Sequence, residues 1–278
     1  MIWSGMVGDP LPQLWHIGTI GFGYDDWSGV FYPSGMKASN YLTHYSRIFN
    51  AVEIDSTFHA PPKRENLLRW LASTPTNFQF CLKMPKEVTH RANLTDKAYS
   101  LASFLDTTRI LGEKLGVILV QFPPSFRHDQ KEELIKFLEN LPADLRFAVE
   151  VRHQSWYTAG ISQAEPEFAR ILRDRGVCWV ASDYPRLPKR IWQTASFFYF
   201  RWIGQHGSFA HHTHERIDRS ADLGEWQKLI QEMDFIGEKF GFFNNDYGGF
   251  APGTANRFKL MMGLETTPFN QPQQGLLF

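Results

Sequence analysis

The stretch Arg146 to Trp156, RFAVEVRHQSW, begins as an apolar strand and ends in a carboxylate, a guanidinium and an imidazole. Phe147, Val149 and Val151 point one way and the small Ala148 the other. Glu150, Arg152 and His153 then emerge at the far end, with Trp156 just beyond. Burying such charges unpaired is costly or forces a pKa shift, so they either pair with one another or face a solvent-filled pocket. Other apolar runs turn polar at the same end. Tyr24, Asp25 and Trp27 follow the first run, Glu53 and Asp55 with His59 the second, Lys83 with His90 the third, and Gln121 the fourth. Asp183 ends the sixth, Arg201 with His206 the seventh, and Asn244, Asn245 and Asp246 the eighth.

These groups suit an enzyme, a hydrolase or phosphoester-acting one, with an anionic, phosphate-containing substrate, either a small molecule or a nucleic acid. Lys83, Arg152 and Arg201 would hold the anion, the guanidiniums through paired hydrogen bonds. Glu150, Glu53 and His153 are the candidate catalytic acids and bases, because carboxylates sharing one site can be pushed apart in pKa. Asn244 and Asn245 can donate to a developing oxyanion. Gln121, Asp183, Asp246, Tyr24, Trp27 and Trp156 complete the substrate-binding set. No phosphate-cradling glycine loop is present, and no nucleophile elbow surrounds Ser56, which argues against nucleotide triphosphate hydrolysis and acyl transfer.

Three alternatives use the same residues. A glycosidase would employ the two carboxylates and stack a sugar on Trp27, Trp156 and Tyr247, but a neutral sugar leaves the three cations idle. A non-catalytic binding module would stack bases on the aromatics. A divalent metal would draw on Glu53, Asp55, His59, His90, Glu150, His153, Asp183, His206 and Asp246. The cations compete with a metal and none of these residues has tight metal spacing, so no metal ligand is assigned and no cofactor is required. The run His211 to Glu215, HHTHE, reads as a solvated loop rather than a zinc site.

The elements that must position these groups follow from periodicity. Strands are expected at 15–22, 51–57, 78–84, 116–122, 146–151, 177–183, 197–203 and 239–246. The nearly continuous apolar run GVILVQF marks a strand buried on both faces. Helical patterns fall at 39–49, 63–73, 95–111, 129–141, 167–175, 222–237 and 255–263, with a proline-broken connection and no helix after the sixth strand. Eight strands alternating with helices predict an α/β fold, a TIM (β/α)₈ barrel lacking the helix after strand six. Active sites of that fold lie at the C-terminal strand ends. An open doubly wound sheet is the runner-up, disfavoured because no dinucleotide-binding fingerprint follows the first strand. The expected organisation is an arm over 1–14, one barrel domain over 15–264 and a flexible tail over 265–278.

Bulk composition narrows the class. The 278 residues carry 29 basic and 29 acidic side chains, so nothing holds this chain on nucleic acid or anionic lipid by bulk charge. Cys81 and Cys178 sit in apolar runs and read as buried reduced thiols. With no secretory leader pattern and no run as long as a membrane span, a cytoplasmic protein is expected.

The motifs GTIGF, VEIDSTF, KMPKEVTH, LGEKLGVILVQFPPSF, FAVEVRHQSW and FFNNDYGGFAPGTANRF, in that order from about Ile17 to Leu264, resemble the YecE-like family, domain of unknown function 72. The resemblance implies a TIM barrel and no settled activity. Asp55 stands where the pattern leads one to expect Asn, and His59 where Tyr is common.

The last five residues, QGLLF, resemble the short peptide by which bacterial proteins bind the DNA sliding clamp, with Gly275 departing from the usual Leu. Gln274 would make the polar contact while Leu277 and Phe278 fill an apolar groove, which would place the protein in DNA replication or repair. The alternative is a tail that folds back on the barrel. Deleting residues 274 to 278 is expected to abolish capture of the protein by immobilised clamp; an intact protein that is not captured refutes the motif.

Overall fold

The computed structural model describes residues 14–90, 98–158 and 165–269. Most of the expected arm, the first residues of the 95–111 helix and the tail residues Gln274, Leu277 and Phe278 lie outside them. Among the described residues the strands are β1 (Trp15–Thr19), β2 (Ala51–Ile54), β3 (Gln79–Lys83), β4 (Leu115–Gln121), β5 (Phe147–Glu150), β6 (Cys178–Trp179), β7 (Ala181–Asp183), β8 (Phe197–Trp202) and β9 (Glu238–Phe243). The helices are α1 (Tyr41–Tyr45), α2 (Arg64–Ala72), α3 (Lys86–Thr89), α4 (Ala98–Thr108), α5 (Lys131–Glu139), α6 (Ser155–Thr158), α7 (Glu167–Arg173), α8 (Ser220–Gln231), α9 (Asn245–Gly248) and α10 (Ala251–Met261).

Every strand pairing is parallel, giving a mixed α/β fold with two sheets in the orders β1-β9-β8-β7 and β2-β3-β4-β5-β6. The sheets approach each other at two places. Ile20, just past β1, bridges Glu53 of β2, and the N–H of Gly21 bonds the Glu53 carbonyl at 2.7 Å. At the other place only Val180 separates β6 from β7, and its N–H still bonds the Val149 carbonyl at 3.0 Å. The single sixth strand expected from VCWVASD is therefore two short pieces that pair with different sheets. Among the described residues no helix connects β7 to β8, as the prolines predict. Helix α10 starts at Ala251 rather than Ala255, because Pro252 fits the first turn, where its missing N–H leaves no bond unmade. No described helix is long and apolar enough to cross a membrane.

Alternation along the strands sorts the core into two parts. One face, including Ile17, Val52, Phe80, Ile118, Val149 and Phe200, joins the helices in a large aromatic-rich cluster. The other face builds a second cluster drawn from both sheets, with Ala51, Cys81, Leu119, Ala148, Val180, Tyr199 and Phe242. Two residues further along that second face, seven of the nine strands reach a polar side chain: Glu53, Lys83, Gln121, Glu150, Ser182, Arg201 and Asn244. Cys81 and Cys178 are buried free thiols, their ionisation disfavoured by burial. At the opposite end of the strands His16 stacks on Phe240 at 4.6 Å and bonds Glu238, which also pairs with Arg146.

β1 packs tightly on the start of β2. The Tyr45 hydroxyl accepts the Thr19 N–H at 2.7 Å and donates to the Ala51 carbonyl at 3.1 Å. A Cβ on Gly18 would lie 1.9 Å from that same carbonyl oxygen. Because backbone cannot swing aside, Gly18→Ala is expected to cost about 3 kcal/mol or more. A thermal melt should show this as a drop of roughly 6–12 °C.

Candidate functional site

Three strands place their polar ends against one another. Arg201 of β8 reaches from one sheet to the other. Its Nη2 and Nε contact the two carboxylate oxygens of Glu53 on β2 at 2.7 and 2.9 Å, and its Nη1 donates to Oε2 of Glu150 on β5. Glu53 also accepts the Tyr199 hydroxyl at 2.9 Å, and Oε1 of Glu150 accepts Nε of Arg152 at 2.8 Å. Both carboxylates are fully buried. Burial would raise the Glu150 pKa, but Arg152 and Arg201 together hold it down at about 2. Burial disfavours a charged Arg201 too, yet Glu150 and Glu53 push its pKa higher still. The result is a continuous buried chain, Tyr199–Glu53–Arg201–Glu150–Arg152, in which every ion has an opposite partner.

Lys83, last residue of β3 on the same inward face, has no hydrogen bond or ion pair of its ammonium among the described residues. Its Nζ lies 3.9 Å from the centre of the Phe58 ring. Burial and then the charge of Arg201 lower its pKa to about 8, with Arg152 acting the same way and Glu150 and Glu53 opposing. His90, after α3, stands edge-on to the same Phe58 ring at 4.8 Å. Burial, Lys83 and Arg152 lower its pKa to about 4, so its ring is neutral at pH 7. Arg152 lays its guanidinium over Tyr184 at 4.6 Å and keeps 17% of its side-chain exposure, against 3% for Arg201. Beside the buried ion chain, Lys83 and Arg152 are thus two cations that keep partial exposure.

The structure brings Glu53, Lys83, Glu150, Arg152 and Arg201 together and gives the remaining candidates other work. Arg201 is sealed in, so the guanidinium open to an anion is that of Arg152. Trp27 and Trp156 are fully buried; their indole N–H groups donate to Asn245 and to the Phe126 carbonyl. Neither presents a face on which a sugar or base can stack. The Asn245 amide oxygen also accepts the Ala251 N–H while its buried Nδ2 has no partner among the described residues, and the Asn244 amide oxygen caps α9 by accepting the Asp246 N–H. Asp183 accepts from Trp226 and from Tyr247, tying α8 and α9 to β7 and leaving the Tyr247 ring buried. His153 turns into its own loop against Ser155. Gln121 donates to the carbonyl of Phe122, and Tyr24 to that of Ile20. Asp246 accepts the Gly207 N–H.

His206 and His212 lie 3.3 and 3.8 Å from Asp246, and His212 reaches Asp26 as well, so HHTHE is partly packed rather than wholly solvated. Among the described residues no three His, Cys, Asp or Glu side chains are grouped to hold a metal. Tyr199, Phe58 and Tyr184 are the site residues that sequence reasoning missed. Tyr199 was legible as the residue two before Arg201 on the same strand face; Phe58 and Tyr184 sit in loops without periodicity.

The family model described as "Protein of unknown function DUF72" matches residues 16–276. The UPF0759 protein YecE of Escherichia coli (strain K12) is 35% identical over 142 residues, 51% of this chain and 52% of that one. The match thus spans about half the length of that relative. The UPF0759 protein YunF of Bacillus subtilis (strain 168) is 24% identical over 276 residues, covering 90% of this chain and 95% of its own. A crystal structure of a DUF72 family protein from Thermotoga maritima superposes with a TM-score of 0.74 at 29% identity, covering 90% of this chain and 99% of that one. One from Enterococcus faecalis gives 0.73 at 20% identity, covering 91% and 99%, a likeness of fold alone.

Removing Arg201 leaves Glu53 buried without a cation and Glu150 with Arg152 alone, a loss of about 3–5 kcal/mol for Arg201→Met. The pH dependence should invert. In the wild type, Glu150 has its folded pKa depressed from 4.5 to about 2. Its contribution is therefore present above pH 4.5 and lost as pH falls toward 2. In Arg201→Met burial favours the protonated form of the carboxylate left without a cation, so acidification from pH 7 to about 5 should stabilise the variant. Urea melts across this range measure both slopes; parallel curves would refute the ion chain's role.

Proposed function

The chain belongs to the YecE-like DUF72 family, and from that premise and the charge balance of its site we propose an enzyme acting on an anionic, phosphate-containing substrate. One observation carries the reading: the two buried carboxylates Glu53 and Glu150 face three cations, Arg201, Arg152 and Lys83, so one positive charge is left over at the rim. An anion resting on Lys83 and the exposed edge of Arg152 would offset the burial and the cationic repulsion that lower the Lys83 and His90 pKa values. Phosphate offers the oxygen atoms to accept from both at once.

The reading includes a closed (β/α)₈ barrel with this site in its mouth. It is supported by the Ile20–Glu53 bridge at one seam, by Val180 bonding β5 between β6 and β7 at the other, and by Arg201 spanning both sheets. A cytoplasmic location is supported by the two buried free thiols. The sliding-clamp link through Gln274, Leu277 and Phe278 is a separate proposal that stands on the tail's sequence.

Inorganic phosphate and ribose 5-phosphate are expected to raise the melting temperature of the wild type and to bind measurably by calorimetry. Affinity should fall as pH rises through about 8, where Lys83 loses its proton. Lys83→Met should weaken binding about tenfold or more, as expected for a lost charged hydrogen bond. Unchanged affinity in that variant would overturn the assignment.

A further inference from the structure

Lys83 differs from every other half-buried or buried lysine described. Lys114 donates to the carbonyls of Leu71 and Thr74, Lys131 pairs with Glu167, and Lys189 with Asp222 and Glu225. Lys239 donates to the carbonyls of Phe235 and Gly237, and Lys259 to that of Ile48. Only the Lys83 ammonium, among the described residues in such positions, is left with an aromatic face and no acceptor. The neighbouring carboxylates are not available to it, because Arg201 and Arg152 already hold them. It is also the last residue of a strand, so its backbone is held by the register of β3 with β4.

We propose that Lys83 captures a carbonyl: its Nζ attacks an aldehyde or ketone on the anionic substrate and forms an imine, while Arg152 grips the anionic group. This rests on the anion-binding reading of the same site. An amine with few hydrogen-bond acceptors and cationic neighbours is the usual arrangement for a nucleophilic lysine. In the first step the Nζ lone pair bonds to the carbonyl carbon, the C=O π pair moves to oxygen, and the proton lost by nitrogen goes to that oxygen. In the second, the hydroxyl leaves as water with one more proton, and the nitrogen lone pair closes the C=N bond. The sum is amine plus carbonyl giving imine plus water, with no oxidant or reductant. His90 is neutral and on the same Phe58 ring, its Nδ1 bonded to the Thr89 hydroxyl at 2.8 Å, so its Nε2 would take the proton from nitrogen and return it to the departing hydroxyl. The charged groups that set the state of Lys83 are Arg201 on β8, Arg152 and Glu150 at the end of β5, and Glu53 on β2. With them, roughly one lysine in ten is neutral at pH 7.

The probe is pyridoxal 5′-phosphate, which carries an aldehyde and a phosphate on one molecule. The full-length protein is incubated with it, imines are reduced with borohydride, and the modified lysines are mapped by mass spectrometry. Lys83 is expected to be labelled at least tenfold faster than the exposed Lys37, Lys63 and Lys86, at a rate that rises with pH and levels off above about 8. Inorganic phosphate should compete. Lys83→Arg should still bind phosphate and lose the fast label, which separates the amine from its charge. Labelling of Lys83 no faster than that of the surface lysines overturns the inference while leaving phosphate binding intact. Fast labelling that phosphate does not slow would uphold the nucleophilic lysine and refute the anion site.

Discussion

Arg201 is the constraint on which the polar end of this molecule depends. A guanidinium 3% exposed is costly to bury unless carboxylates surround it; Arg201 is the one cation paired with Glu53 among the described residues and one of two on Glu150. The three residues come from strands in both sheets, so their mutual need also ties β8 to β2 and β5. Such a triad need not add net stability over apolar residues of the same shape. What it does enforce is position, because any displacement leaves an ion buried alone.

That constraint redistributes the chemistry of the site. Carboxylates that look like acids and bases in the sequence are held ionised by arginines, and Arg201 looks like an anion clamp but is an internal counter-ion. The proposed function accordingly rests on groups further out, Lys83, His90 and the free edge of Arg152. Lys83 owes its lowered pKa first to burial and then to Arg201, with Glu150 and Glu53 opposing only in part. On the proposed reading, the ligand of this site brings negative charge with it.

The burial of the aromatics has a related cause. Nine tryptophans in one chain suggest stacking platforms. Yet Trp27 and Trp156 each spend the indole N–H on an internal acceptor and pack in the cluster between sheet and helices. Asp183 and Asn245, also expected at the substrate, serve as the acceptors that let Trp226 and Trp27 be buried. Polar residues near a strand end thus divide into those facing the second core cluster and those behind the strands, satisfying aromatic donors.

The sequence by itself determined the eight apolar runs, their parallel α/β character, the missing helix before β8 and the common end at which the strands turn polar. These follow from local periodicity and from the cost of burying charge, which a chain displays residue by residue. It also determined the family, because ordered motifs such as FAVEVRHQSW and VEIDSTF survive as strings. Only the tertiary structure decided which charge meets which. Glu53, Glu150 and Arg201 are separated by up to 148 positions, and pairing at that distance depends on strand order and on inward or outward facing in three dimensions. The same Coulombic competition decided that Lys83, written in the sequence as one cation of three, is the one left without an acceptor among the described residues.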